Sequence, residues 1–138
     1  MGLRRIIYSS QASGELSKRQ LLDLLHESRA YNALDGITGV LLHRQGHFLQ
    51  VIEGESEPVD NLYARILRDT RHQKVSLILD EEVSNRLFSD WAMGCADFDD
   101  PELEFMPGIR SDLADPEVIQ NLMSNLPEMA AHLQEILD

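Results

Sequence analysis

The chain has 138 residues, of which 43% are hydrophobic and 26% charged, and this length suits one domain with a sizeable core. A single cysteine, Cys95, excludes an intrachain disulfide and favours a reducing cytoplasm; no apolar run approaches the roughly 18 residues of a membrane span. The net charge of −12 argues against nucleic acid or an anionic membrane as a partner, because both attract surplus lysine and arginine.

Hydrophobic patterning predicts alternating strands and helices over the first two thirds of the chain. The capping box Ser17 to Gln20 opens a first helix that runs to about Ala30. Pro58 begins a second helix, and a tight turn at residues 43–47 joins two strands into a hairpin. Apolar runs bounded by turn residues predict five strands, at residues 3–10, 37–43, 48–53, 75–83 and 91–96.

The order β-α-β-β-α-β is the ferredoxin-like pattern, an α+β fold, with one further strand appended. We therefore expect a βαββαββ chain with a mixed sheet and both helices packed on one face of it. The strand at residues 48–53 is apolar on both of its alternating faces, which indicates that the second face of the sheet is covered too.

The acidic charge lies mainly in the last third of the chain. Residues 1–96 carry 13 acidic and 11 basic side chains, whereas residues 97–138 carry 11 acidic and one basic. Apolar residues at helical spacing in this tail, with Asp115 before Pro116 as a helix start, predict two short amphipathic helices. We expect a body of residues 1–98 and an extension of residues 99–138, whose two helices cover the second face of the sheet.

Several polar or aromatic side chains do not suit a plain core. Tyr8 and Gln50 lie in the middle of their strands, Asn32 follows the first helix, and Trp91 and Met93 share a face of the last strand. Each has an ordinary interpretation: a phenol that reaches the surface, an amide on a wet face, a helix cap, and core residues. Together, a phenol, two amides and an indole that can converge on the helix-covered face suggest a flat ligand with a polar edge between the helices.

Motifs for most other chemistry are absent from the sequence. No glycine-rich phosphate loop is present, and His43 and His47 flank a hairpin turn, which rules out helical metal-ligand spacing. Residues 97–100 resemble a calcium loop only faintly, because Glu102 stands where that loop requires glycine. No nucleophile and base pair is evident, so hydrolysis and group transfer are not indicated.

From Leu3 to Ala96 the sequence resembles the BLUF family of blue-light sensors that use flavin. The resemblance implies a ferredoxin-like sheet with two helices gripping the flavin ring. The motifs that carry it, in chain order, are Ile7-Tyr8-Ser9-Ser10, Asn32 with Asp35-Gly36-Ile37-Thr38-Gly39-Val40-Leu41, Phe48-Leu49-Gln50-Val51-Ile52-Glu53-Gly54, Tyr63-Ala64-Arg65-Ile66 with Asp69 and Arg71-His72, and Phe88-Ser89-Asp90-Trp91-Ala92-Met93.

The resemblance also implies roles for individual residues. Tyr8 would be the redox-active phenol, Gln50 would bridge it to the flavin, and Asn32 would bond the C4 carbonyl and N3 edge. Trp91 and Met93 match the pair whose placement near the glutamine differs within the family. The remaining cofactor contacts fall on Leu24 and Ile66, which would sandwich the ring, and on Arg65, Asp69 and His72, on the C2 side of the ring and the ribityl chain.

Two positions depart from the family pattern. Tyr31 stands where asparagine or histidine is frequent, which puts one cofactor hydrogen bond in doubt, and Ala92 stands where serine is frequent. The expected cofactor is FAD, although FMN or riboflavin would satisfy the same ring contacts.

The resemblance implies a photoreceptor and not a turnover enzyme. The 40 residues after position 98 are too few for an attached enzymatic or DNA-binding domain, so we expect the signal to leave through an unidentified partner protein or a homo-oligomer interface. One alternative is a ferredoxin-like interaction module without photochemistry. Another is a small flavin-dependent enzyme or acyl-phosphate hydrolase on the same fold. A coloured, light-responsive protein would distinguish the first interpretation from these.

Overall fold

A computed structural model describes residues 2–15, 17–87 and 94–97, together with Ser124 and Ala131. Its sheet has the strand order β4-β1-β3-β2-β5, in which β2 and β5 pair in parallel and the other neighbours are antiparallel. This arrangement confirms the ferredoxin-like α+β prediction and the mixed sheet. In chain order the elements are β1 (Leu3–Ala12), α1 (Lys18–Asp35), β2 (Thr38–Arg44), β3 (His47–Glu55), α2 (Ser56–Arg68), β4 (His72–Val83) and β5 (Gly94–Asp97).

Helix α1 begins as predicted and ends later. The Gln20 amide donates to Ser17 Oγ at 3.1 Å, and the Ser17 amide donates to Gln20 Oε1 at 2.8 Å, so the capping box is formed. The predicted end near Ala30 is wrong, because no strong helix breaker precedes Gly36. That glycine ends the helix in the left-handed region, at φ 66°. Asn32 therefore lies within the last turn of α1 and not beyond it.

Other element boundaries also differ from the prediction. Helix α2 begins at Ser56, so Pro58 is its third residue, where an intrahelical N–H bond is not needed. Strand β4 begins at His72 and not at Val75, because its polar first residues pair with the end of β1. The sequence pattern at 72–74 gives no strand signal, so only the pairing reveals this extension.

The hairpin between β2 and β3 uses a two-residue turn at Gln45 and Gly46, both with positive φ, at 49° and 78°. This conformation matches the twist of the flanking strands. The Gly46 amide donates to His43 Nε2 at 3.2 Å, so this histidine stabilises the turn.

The two faces of the sheet alternate along each strand. Tyr8, Gln50 and Leu41 are cross-strand neighbours on one face, which both helices cover. The buried core on this side comprises Ile6, Tyr8, Ile37, Leu41, Phe48, Ile52 and Val59.

The second face of the sheet is also buried, which confirms that it is covered. Its central side chains have at most 1% exposure: Ile7, Val40, Leu42, Leu49 and Val51. The prediction that two helices of residues 99–138 cover this face lies outside the described residues, as does the boundary at residue 98. In the described part of the chain, no helix is both long and apolar enough to cross a membrane.

Candidate functional site

A cavity of about 550 Å³ lies between α1 and α2 above the sheet. This volume is in the range of small-molecule and cofactor pockets. Side chains of the sheet form its floor, and the two helices form its walls. The floor includes Tyr8, Ser10, Leu41, Phe48 and Gln50, and the walls include Leu24, Ser28, Asn32, Leu62 and Ile66.

The floor of the cavity carries a buried hydrogen bond between Tyr8 and Gln50, which are direct cross-strand partners on β1 and β3. Tyr8 Oη donates to Gln50 Oε1, and the two residues are only 4% and 7% exposed. Burial raises the pKa of the Tyr8 phenol well above its usual value, and the nearby Tyr63 and Asp69 raise it further. Tyr8 is therefore a neutral donor. The alternative interpretations, that the Tyr8 phenol reaches the surface and that the Gln50 amide lies on a solvated face, are both wrong.

Asn32 reaches the cavity because α1 continues to Asp35. Its backbone oxygen accepts hydrogen bonds from the amides of Gly36 and of Ile37, the latter at 2.9 Å, so the main chain of Asn32 closes the helix. Its side chain lines the cavity and is 1% exposed. The interpretation of this asparagine as a simple helix cap is therefore wrong for its side chain.

His72 ties the end of α2 to β1. Its Nε2 lies 2.6 Å from the carbonyl oxygen of Ile66, which can only accept, so Nε2 carries the proton. Its Nδ1 forms a second hydrogen bond, with Ser10 Oγ at 2.8 Å. The imidazole stands edge-on to the Tyr8 ring, with centroids 6.3 Å apart. Both ring nitrogens are thus used within the protein, and His72 limits the cavity beside Tyr8.

Ion pairs at the mouth of the cavity connect α1 to the segment after α2. Arg71 binds the Asp69 carboxylate through several contacts of 2.6 to 3.0 Å and reaches Glu27 on α1 at 2.9 Å. The hydrogen bonds from Arg71 lower the pKa of the Asp69 carboxyl, although partial burial opposes this effect. Arg65 and Asp35 form a second, looser pair at 3.8 Å.

Sequence reasoning assigned no separate role to Arg71, Glu27 or Ser10. Glu27 lies three residues after Leu24 and Ser10 lies two after Tyr8, so helical and strand periodicity could have placed both on the cavity. By contrast, all eight residues predicted to contact the cofactor line this one cavity: Tyr8, Leu24, Asn32, Gln50, Arg65, Ile66, Asp69 and His72. Trp91 and Met93, and the departure Ala92, lie outside the described residues, as does the side chain of Tyr31.

The arrangement fits a flavin ring. Leu24 and Ile66 present apolar side chains from opposite helices, which suits the two faces of a planar heterocycle. The amides of Asn32 and Gln50 offer both donors and acceptors, which suits the ring edge that carries carbonyl and nitrogen groups.

Comparison with known proteins identifies the family of the chain. Residues 3–94 match the family model for sensors of blue light using FAD. Among Euglena gracilis proteins, photoactivated adenylate cyclase subunit alpha is 32% identical over 135 residues, or 95% of this chain, and subunit beta is 36% identical over 95 residues, or 68%. The chain spans only 13% and 11% of the lengths of these two relatives.

Solved structures of similar length also match. The dark state of BlrB, a BLUF protein, superposes with a TM-score of 0.71 at 30% identity, covering 94% of this chain and 97% of BlrB. The photo-activated state of BlsA superposes with a TM-score of 0.69 at 30% identity, covering 98% of this chain and 94% of BlsA. On the family match and the cavity together, the chain belongs to the BLUF family of flavin-binding blue-light sensors.

Proposed function

We propose that this chain works as a blue-light photoreceptor that signals by rearranging the hydrogen bonds of Gln50. The observation that carries the proposal is the buried bond from Tyr8 Oη to Gln50 Oε1 on the floor of the cavity. A phenol and an amide held in contact beside a ligand cavity can exchange a proton without solvent taking part.

The proposed cofactor is FAD, and FMN or riboflavin would make the same ring contacts. Leu24 and Ile66 would hold the two faces of the ring, while Asn32 and Gln50 would bond its polar edge. The remaining proposed contacts come from Arg65, Asp69 and His72, on the C2 side of the ring and at the start of the side chain.

A bound flavin would supply the absorption of blue light and would serve as the electron acceptor for Tyr8. Tyr8 gives up that electron, and its proton passes to Gln50 Oε1, the atom it already contacts. Because burial raises the pKa of Tyr8, the phenolate is not formed beforehand, so proton loss accompanies electron loss. Electron and proton then return to Tyr8, and nothing is oxidised overall.

The lasting change would be in Gln50, whose amide would be left rotated or tautomerised and able to donate a new hydrogen bond to the C4 carbonyl of a bound flavin. One such hydrogen bond, about 1–3 kcal/mol, can shift a two-state equilibrium by roughly 5- to 150-fold. The same bond would lower the transition energy of the flavin and give a red-shifted absorption that decays in darkness. This cycle is that of a sensor, and we propose no catalytic turnover.

We propose that the signal leaves through Trp91 and Met93 to the acidic extension of residues 99–138, and from there to an unidentified partner protein or a second copy of the chain. The surplus of acidic groups in that extension favours a partner surface with basic or mixed charge. The proposed location is the cytoplasm, and neither nucleic acid nor membrane is proposed as a partner.

The proposal is tested by illuminating the purified protein loaded with FAD. The wild type should be yellow and show a red shift that reverses in darkness, whereas Tyr8→Phe should bind flavin and show no shift. Tyr63→Phe is the matched control, since its ring lies 6.0 Å from that of Tyr8 but takes no part in the Gln50 bond, and it should keep the shift. A normal light response in Tyr8→Phe, or none in the wild type, would contradict the proposal.

A further inference from the structure

A charged row crosses the second face of the sheet, opposite the cavity. Glu81, Arg5, Glu53 and Thr38 are cross-strand partners on β4, β1, β3 and β2. Arg5 Nε donates to Glu53 Oε2 at 2.8 Å, and Arg5 Nη1 lies 3.3 Å from Glu81 Oε1. Glu53 is fully buried and Arg5 is 7% exposed. This ion pair therefore lies beside the buried apolar centre of the second face.

Residues of the same row form hydrogen bonds with residues 85–87, which follow β4. The Leu87 amide donates to both carboxylate oxygens of Glu53, at 2.9 and 3.1 Å. Arg5 Nη2 reaches the Asn85 carbonyl oxygen at 3.4 Å, and Arg86 Nη1 donates to Thr38 Oγ1 at 3.1 Å. Three strands thus bind three consecutive residues of the connection that leads toward β5.

Strand β5 is short and lies at the edge of the described sheet. It has four residues and pairs in parallel with β2. Leu41 is the register partner both of Gln50 on β3 and of Cys95 on β5, so β5 lies two strands away from the strand of Gln50. Six residues separate Leu87 from Gly94, so a restraint on Leu87 acts close in sequence to the start of β5.

Stability alone does not account for the buried pair, because apolar residues of similar volume in its place are often neutral or stabilising. The carboxylate provides what an apolar residue does not, an acceptor for the Leu87 amide. We propose that Glu53 is a positioning residue, which holds residues 85–87 against the strands of Tyr8 and Gln50 and thereby fixes β5 in the dark state. The use of β5 in signalling rests on the proposed function; the anchoring does not.

The test is amide hydrogen exchange in the dark on the full chain, with the double variant Arg5→Met/Glu53→Leu. This variant removes both charges together and leaves the Leu87 amide without its acceptor. Exchange should become about tenfold faster or more at Leu87 and at residues 94–97, as expected when a charge-assisted hydrogen bond is lost. The light-induced spectral shift should keep its amplitude, since the cavity face is untouched.

The matched control is Arg4→Met/Asp80→Asn, which removes an ion pair between β1 and β4 together with the contact of Arg4 with Asp60 on α2. It should leave the exchange rates and the spectral shift unchanged. If the double variant does not fold, Glu53→Gln can be used in its place. It retains one side-chain oxygen and should give a smaller increase in the exchange rate at the same amides. The proposal would be overturned if the exchange rates at residues 94–97 did not change, or if exchange became faster at Leu87 alone. Loss of the light-induced spectral shift in the variant would overturn it too. Failure of the proposed function would instead appear as a wild type without a light response, while the dark exchange result would still be readable.

Discussion

The two faces of one sheet differ in chemistry, although the same strands build both. On β1 and β3, Tyr8 and Gln50 face the cavity, whereas their chain neighbours Ile7 and Leu49 are buried in the second face. The cavity face keeps polar groups and space for a ligand. The centre of the second face is filled with buried apolar side chains, and the Arg5 and Glu53 row lies beside them. The comparison implies that adjacent residues can be altered to affect photochemistry and stability separately.

The largest effect is expected from Glu53→Leu alone. Removing one partner leaves the charge of Arg5 buried without its closest counter-charge, which costs about 3–5 kcal/mol of unfolding free energy. The double variant with Arg5→Met should recover part of that loss, because it removes the unpaired charge but still leaves the Leu87 amide without its acceptor. Urea unfolding of the two variants measures both values, and a double variant no more stable than Glu53→Leu would contradict the buried-pair interpretation.

The next largest effect is expected from Leu49→Ala, which should lower the free energy of unfolding by about 2–5 kcal/mol. Leu49 is fully buried in the second face, so its truncation leaves a void. The light-induced red shift should keep its wavelength, since no atom of the cavity floor is removed. Leu67→Ala is a suitable control, because Leu67 is 54% exposed and should cost less than about 0.5 kcal/mol. A lost or displaced shift in Leu49→Ala would show that the two faces are not separable.

A smaller effect concerns acid stability at the cavity mouth. Arg71 lowers the pKa of Asp69 in the folded protein, so the unfolded state takes up a proton first as the pH falls. The stabilisation is present above the unfolded pKa of about 4 and is lost as the pH falls through the lower, folded value. Asp69→Asn should reduce unfolding free energy at neutral pH and flatten its decline below about pH 4. A variant as acid-sensitive as the wild type would contradict this.

Part of the cavity face followed from local sequence signals. Strand patterns placed Tyr8 and Gln50 in the middle of their strands, able to converge on the helix-covered face, whereas the positions of Leu24 and Ile66 beside the ring were implied by the family resemblance. The end of α1 did not follow, because residues 31–35 tolerate both helix and loop and only the left-handed conformation of Gly36 decides between them.

The contacts of Glu53 were beyond sequence reasoning for a different reason. A strand pattern assigns a side chain to a face, but it does not say which residue is opposite or which loop crosses above. The pairing of Glu53 with Arg5, and the bond from the Leu87 amide, depend on the register of two strands and on a connection remote in the chain. The same holds for Arg71 and Glu27, whose contact spans two separate elements.

The most direct measurement is a light-minus-dark infrared difference spectrum of the flavin-loaded wild type and of Gln50→Leu. In the wild type a flavin carbonyl stretch should move to lower frequency in the light, because Gln50 then donates a new hydrogen bond to it. In Gln50→Leu, which keeps the cavity but has no amide, that band should not move and the visible red shift should be absent. A carbonyl downshift that persists in Gln50→Leu would contradict the assignment of the switch to Gln50.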